Sequence, residues 1–161
     1  MKVSTLQELK QELVELPPKQ LAELCISLAK YKKDNKEYLS YLLFQSHNSK
    51  GFMEQLKAET DEYFAELQEQ KNLYYIKKGL RRILRILNKY CKYMGDKGST
   101  VEVQLYFCRK IKQARIPIHK SARLENLFNA QVKKIKSVTA SLHEDLQADY
   151  LKDLEEVIAL K

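Results

Sequence analysis

Apolar side chains recur every three or four positions along most of the chain, the spacing that places them on one face of an α-helix. Strict alternation of apolar and polar residues, which is typical of strands, is limited to Val101–Val103, and there the helical pattern continues to Ile111. The pattern therefore predicts an all-α protein, with a short strand at Val101–Val103 as the alternative.

Capping signals and prolines predict three helices in the first third of the chain. A capping box in Thr5–Glu8 precedes the first helix, and Pro17–Pro18 ends it and opens the second. Asp34–Asn35 is the cap signal of a third helix that runs to Phe44 and is apolar over much of its surface, so we expect this helix to be central. The apolar positions of the first two helices are Leu6, Leu9, Leu13, Leu16, Leu21, Leu24, Cys25 and Leu28.

The fifth predicted helix is the best defined one. It extends from about Leu73 to Met94, and Gly95 and Gly98 end it, since glycine accepts the left-handed conformation that follows many helices. Its apolar positions form one continuous stripe: Leu73, Ile76, Leu80, Ile83, Leu84, Leu87, Cys91 and Met94. A fourth helix, with apolar positions from Phe52 to Leu67, precedes it.

Three further helices complete the predicted fold. Ser99 or Thr100 caps the sixth, Ser121 begins the seventh, and an acidic helix follows from about Leu146, with His143–Asp145 either a bend or a continuous stretch. Short connections predict antiparallel hairpins of seven to eight helices in one domain over residues 1–161. They pack as a compact bundle or as a short right-handed solenoid of the armadillo or HEAT kind.

Composition and the start of the chain also predict where in the cell the protein is located. Hydrophobic residues make up 44% of the chain, but no apolar run approaches the ~20 residues of a membrane span, and the start of the chain shows no signal-peptide core. We therefore expect a cytoplasmic protein without membrane attachment. Cys25, Cys91 and Cys108 lie far apart among apolar residues, so we expect buried thiols, with a reactive thiol as the alternative.

Charge is strongly segregated along the chain. The whole protein has a net charge of +8, but Lys71–Lys136 contains 18 lysines and arginines and only 3 acidic residues, and the flanking segments are acidic. The fifth helix carries six cations at spacings that align them along one side, and the sixth adds Arg109. The candidate binding residues are Lys78, Arg81, Arg82, Arg85, Lys89, Lys92 and Arg109.

Two kinds of binding follow from these cations. The first interpretation is a non-catalytic binding or scaffold protein whose basic helical face meets an acidic protein partner or a second copy of the chain. The alternative is a nucleic-acid-binding protein that uses the basic row of the fifth helix, with neighbouring tyrosines stacking on unpaired bases. A solvated face neutralised internally by the acidic helices explains the same charges without any ligand.

Motifs for catalysis are missing from the sequence. The four glycines form no phosphate-binding loop, and His47, His119 and His143 have no metal-site spacing. We therefore expect no enzymatic activity, no catalytic residue, no metal and no cofactor.

Four stretches resemble small all-helical conserved bacterial proteins of unassigned function. The similarity covers Leu21–Phe44, Leu80–Tyr93, Tyr106–Lys112 and Leu142–Leu154, and the segments Leu28–Lys33 and Ser141–Gln147 carry most of it. The resemblance implies a helical fold and a bacterial origin, and it brings no activity, cofactor or site residue with it.

Overall fold

The computed structural model describes residues 2–160, and these residues form eight α-helices, one 3₁₀ turn and no strand. The helices are α1 (Leu6–Val14), α2 (Pro18–Tyr31), α3 (Lys33–Phe44), α4 (Ser49–Gln68), α5 (Leu73–Met94), α6 (Lys97–Gln113), α7 (Ala122–Thr139) and α8 (Glu144–Ala159). The all-α prediction with seven to eight helices is confirmed. Val101–Val103 lies inside α6, so the alternative of a short strand is wrong. No helix in this part of the chain is both long enough and apolar enough to cross a bilayer.

The described helices group into two compact units. Unit 1 is Met1–His47 and contains α1, α2 and α3, and unit 2 is Asn48–Lys161 and contains α4 to α8. The prediction of one domain over residues 1–161, whose two end residues lie outside the described part, stays a prediction.

Helix α6 is the centre of unit 2. It packs against α4, α5, α7 and α8, so its residues are covered on nearly every side. Its buried residues are Val101, Val103, Gln104, Leu105, Phe107, Cys108 and Ile111. Helix α6 contacts the first and the second helix on each side of it in the sequence, a pattern that a compact bundle and a short solenoid share, so both predicted forms fit this packing.

Helix α3 is not the central helix that its apolar sequence predicted. Among its described residues only Tyr41 is buried, and Phe44 at its end is 70% exposed. Six apolar or aromatic side chains crowd the second half of α3 and surround the helix, whereas its contact with α2 in unit 1 covers one side. The number of apolar residues in a helix therefore does not predict how many of them are buried, because burial depends on how many other helices pack against it.

Side-chain hydrogen bonds cap the N-termini of α1, α4, α5 and α6. Thr5 forms the predicted capping box, and Gly95 ends α5 with a left-handed φ of 66°. The predicted cap of the sixth helix at Ser99 or Thr100 is wrong, because Asp96 accepts a hydrogen bond of 2.6 Å from the Ser99 backbone N–H and starts α6 one turn earlier. The third helix likewise begins at Lys33, ahead of the predicted cap.

The break between the last two helices is real. Helix α7 ends at Thr139, and α8 starts at Glu144 with His143 as its N-cap residue. The two helices are therefore not continuous: four residues, 140–143, separate them, and Glu144 and Asp145 belong to the first turn of α8.

The three cysteines do not share one environment. All three are free thiols, and Cys91 and Cys108 are buried in unit 2 as expected. Cys25 is exposed, so the prediction that it is buried is wrong. It lies in α2, which has no buried residue among those described, because unit 1 is too small to enclose all of its apolar side chains.

Candidate anion-binding face of helix α5

The cations of α5 lie on the side of the helix away from its core. Buried positions follow the stripe of Ile76, Leu80, Ile83, Leu84, Leu87 and Cys91, which packs into unit 2. Helical geometry then directs the intervening basic residues outward. We call Lys78, Arg81, Arg82, Arg85, Lys89 and Lys92 the α5 basic row. At 1.5 Å per residue the row is ~21 Å long.

Most of the α5 basic row has no acidic partner. Within residues 2–160, no carboxylate lies within 4 Å of Lys78, Arg81, Arg82, Arg85 or Lys92, and all five are exposed. Lys89 differs from them in being half-buried. Five cations of the row therefore remain available to an anion.

Two tyrosines stand at the start of the same helix. Tyr74 and Tyr75 are each more than half exposed, and their rings meet edge to face at 5.4 Å between centroids. The Lys77 ammonium lies 5.2 Å from the centroid of the Tyr74 ring. Flat aromatic surfaces are thus presented to solvent next to free cations.

The structure assigns Arg109 to a different environment. This residue is on α6, half-buried, and it lines a cavity of about 230 Å³ formed by α4, α6 and α8. Glu102, Asp153 and Tyr150 line the same cavity, and the Tyr150 hydroxyl donates a hydrogen bond of 3.4 Å to the Glu102 carboxylate. Arg109 therefore faces acidic groups of its own chain and is not part of the α5 basic row.

Lys110 on α6 is neutralised inside the protein. Its ammonium lies 2.9 Å from the Asp61 carboxylate on α4, which also accepts a hydrogen bond of 2.6 Å from the Tyr106 hydroxyl. Burial would raise the pKa of Asp61, but these two donors outweigh it and hold that pKa below its ordinary value of 3.8. Burial and the neighbouring carboxylate raise the pKa of Tyr106, so the phenol keeps its proton.

Two other cations are used as structural donors. The Lys112 ammonium donates to the carbonyl oxygens of Ile158 and Leu160 at 3.1 and 2.9 Å, which satisfies the C-terminal end of α8. The Lys134 ammonium on α7 donates to the Asn88 side-chain oxygen at 2.6 Å. Helix α6 therefore uses Lys110 and Lys112 for contacts within the protein, and these two cations are not available to a ligand.

A cleft opens between α4 and α5, beside the α5 basic row. This α4–α5 cleft has a volume of about 510 Å³, and Lys78, Arg82 and Arg85 line it together with Tyr63 and Tyr75. The Arg82 guanidinium lies 5.6 Å from the centroid of the Tyr63 ring, within the range of a cation–π contact. Three residues of the row therefore converge on one concave, partly aromatic surface.

The sequence did not identify Tyr63 as part of any site. Tyr63 is on α4 and fits the apolar stripe of that helix, a pattern that predicts a core position. The one local signal was Gly79, an unusual residue in the interior of a long helix. A Cβ atom at Gly79 would collide with the Leu67 side chain of α4, so glycine permits the close approach of the two helices.

Other candidate chemistry is sparse in the described chain. The imidazole of His143 lies 3.4 Å from the Asp145 carboxylate, but both are exposed at the start of α8. Across residues 2–160 no three His, Cys, Asp or Glu side chains are grouped as a metal site requires. The predicted absence of metals and cofactors stays a prediction.

No protein-family model, no curated protein sequence and no solved structure matches this chain. The resemblance to small helical bacterial proteins therefore stays a prediction. Among the described residues, the five available cations, the neighbouring tyrosines and the α4–α5 cleft form the best-defined candidate site.

Proposed function

We propose that this chain is a non-catalytic binding protein that holds an acidic macromolecule on the α5 basic row, and that single-stranded nucleic acid fits the row best. The observation that carries this proposal is the contrast between two helices: Lys110 and Lys112 of α6 are paired within unit 2, whereas five cations of the α5 basic row have no acidic partner among the described residues. Cations and phenols bind anions, but they include no nucleophile paired with a base, which favours binding without catalysis.

Single-stranded nucleic acid matches both the charges and the rings of this face. Phosphates along a strand would meet the cations of the α5 basic row and release counterions. Unpaired bases present flat faces that stack on aromatic side chains irrespective of sequence, and Tyr74 and Tyr75 offer such faces next to the row. An extended acidic peptide would use the cations but leave these rings without a matching group.

Salt dependence tests the proposal quantitatively. If the five available cations each neutralise one phosphate, the logarithm of the binding constant should fall against the logarithm of salt concentration with a slope of about −3.5, from about 0.7 per contact. Binding of a fluorescent oligonucleotide, measured by anisotropy from about 50 to 200 mM salt, should then weaken about 100-fold. No binding at about 50 mM salt would refute the proposal.

A pair of matched double variants locates the contact. Arg82→Gln with Arg85→Gln removes two charges of the row and should reduce the slope by about 1.4. Lys133→Gln with Lys136→Gln removes two exposed charges from α7 and should leave the slope within error of wild type. Equal reductions in both variants would show diffuse attraction by the whole basic segment and would contradict a specific role of α5.

A second candidate function is binding of an acidic protein or of another copy of the chain. The Asp61–Lys110 pair shows that an acidic helix of this protein can neutralise a basic one, so a neighbouring copy could do the same for α5. Unit 1 adds apolar surface, since Leu6, Leu28 and Phe44 are more than half exposed. Sedimentation at several protein concentrations should then show a mass that rises with concentration and falls with salt, and a constant monomer mass would exclude self-association.

A cytoplasmic location, without membrane attachment, is part of the proposal. It is supported by three free thiols, one of them exposed at Cys25, because exposed unpaired thiols are typical of reducing compartments. Fractionation of cells that express the tagged protein tests it, and recovery in a membrane or secreted fraction would refute it.

A further inference from the structure

We propose that the α4–α5 cleft is a binding subsite for one unpaired base of a nucleic-acid strand, with the adjoining phosphate on Arg82 and Arg85. This inference rests on the proposed function and adds to it. The α5 basic row explains contacts with the phosphate backbone of a strand, and the cleft adds a defined binding place for a base. The cleft volume of about 510 Å³ lies within the range of roughly 300–1,000 Å³ that is usual for small-molecule sites.

The walls of the cleft suit a flat ring. Tyr63 is half-buried against the core of unit 2, so its ring is held in place, and Tyr75 is on α5 and 53% exposed. The Arg82 guanidinium, itself planar, lies over the Tyr63 ring at 5.6 Å. Aromatic rings and arginine planes are the two kinds of group on which proteins stack unpaired bases.

The floor of the cleft is apolar and is fixed by helix packing. Leu67 of α4 and Ile83 of α5 line it, and Ile83 is buried in the core. Because Gly79 carries no side chain, Leu67 approaches α5 closely at this point. The cleft is thus preformed by the α4–α5 contact, which reduces the ordering that a ligand would require.

The charges at the cleft favour an anion that carries such a ring. Lys78, Arg82 and Arg85 line it, against the single carboxylate of Glu66. Arginine donates two parallel hydrogen bonds to a phosphate, so two neighbouring arginines provide a strong phosphate contact. Glu66 and Gln70 supply an acceptor and an amide next to the rings, groups that can hydrogen-bond the edge of a base.

The deciding experiment compares two strands that differ only in their bases. Binding of a thymidine oligonucleotide of about ten nucleotides is measured against an abasic strand of the same length and phosphate count, at about 50 mM salt. We expect the abasic strand to bind about tenfold more weakly. Tyr75→Ala should weaken binding of the thymidine strand by about the same factor and leave binding of the abasic strand unchanged.

Tyr74→Ala is the matched control. Tyr74 is adjacent, similarly exposed and part of the same ring pair, but it does not line the cleft, so its removal should cost less than Tyr75→Ala. Thermal unfolding of each variant by circular dichroism shows whether the fold is intact.

The outcomes separate the two proposals. If neither strand binds, the proposed function fails together with the subsite. If both strands bind equally, or if Tyr74→Ala weakens the thymidine strand as much as Tyr75→Ala does, the basic row binds nucleic acid but the subsite is refuted. An oligoglutamate that binds as tightly as the thymidine strand would overturn the choice of ligand and favour an acidic protein.

Discussion

Replacing Gln104 with methionine should stabilise the protein, although it removes a hydrogen bond. Gln104 lies in α6 and is completely buried. Its amide nitrogen donates to the Asn88 side-chain oxygen at 3.1 Å, whereas its own side-chain oxygen has no partner among the described residues. Methionine has nearly the same length and shape, and it brings no polar group that needs a partner.

The size of the expected stabilisation follows from the two polar atoms of the Gln104 amide. Loss of the bond to Asn88 costs about 0.5–1.5 kcal/mol, and removal of a buried acceptor without a partner returns about 1–3 kcal/mol. Asn88 keeps an ammonium donor, Lys134 at 2.6 Å, so its oxygen stays satisfied. The net expectation is a stabilisation of about 1 kcal/mol, or about 2–4 °C in the midpoint of thermal unfolding for a chain of this size.

Scanning calorimetry of Gln104→Met against wild type measures this change. Asn88→Leu should have the opposite sign and cost about 2 kcal/mol or more, because it deprives both Gln104 and Lys134 of their acceptor. Gln68→Met, at an exposed position of α4, is the control and should change stability by less than about 0.5 kcal/mol. A loss of more than about 1 kcal/mol in Gln104→Met would refute the reasoning, since it would mean that the buried oxygen has a partner.

Two further predictions concern titratable groups. In the native protein only Cys25 should react promptly with a thiol reagent, while Cys91 and Cys108 should react after unfolding. Burial raises the pKa of the Cys91 and Cys108 thiols, to about 12 for Cys108. Prompt reaction of two thiols in the native protein would contradict this prediction. Asp61→Asn should destabilise the protein at neutral pH. The folded-state pKa of Asp61 lies below 3.8, so its contribution to folding stability is present above that pH and is lost as the pH falls through the folded value. The difference in unfolding free energy between variant and wild type, measured in urea, should therefore become smaller in acid. A difference that does not change with pH would refute the role of the contact between Asp61 and Lys110.

Helix α5 shows that the bounds and the exposed face of a single helix can be predicted from its own sequence. Its bounds were predicted from the apolar stripe and from Gly95, signals that act within a few residues of one another. The outward direction of the row follows from the same periodicity. The Asp96 cap of α6 is also local, but the competing Ser99 and Thr100 signals concealed it.

The error on α3 has a different origin. Its apolar side chains predicted a central position, but burial requires neighbours, and the structure provides them for α6, which packs against four helices. Exposed Cys25 reflects the same cause, since unit 1 has too few helices to cover its apolar residues. An apolar side chain favours burial, but the packing of the helices decides whether neighbouring residues cover it.

By itself, the sequence determined the helices, several of their ends and the direction of the α5 basic row, because capping, proline and helical periodicity act over a few neighbouring residues. Only the tertiary structure decided which cations remain available. The Asp61–Tyr106 bond joins residues 45 positions apart, and the Lys112–Ile158 bond joins residues 46 apart. The α4–α5 cleft likewise depends on Tyr63 and Arg82 meeting across two helices. Such contacts arise from the faces that packed helices turn to each other, and no local pattern encodes them.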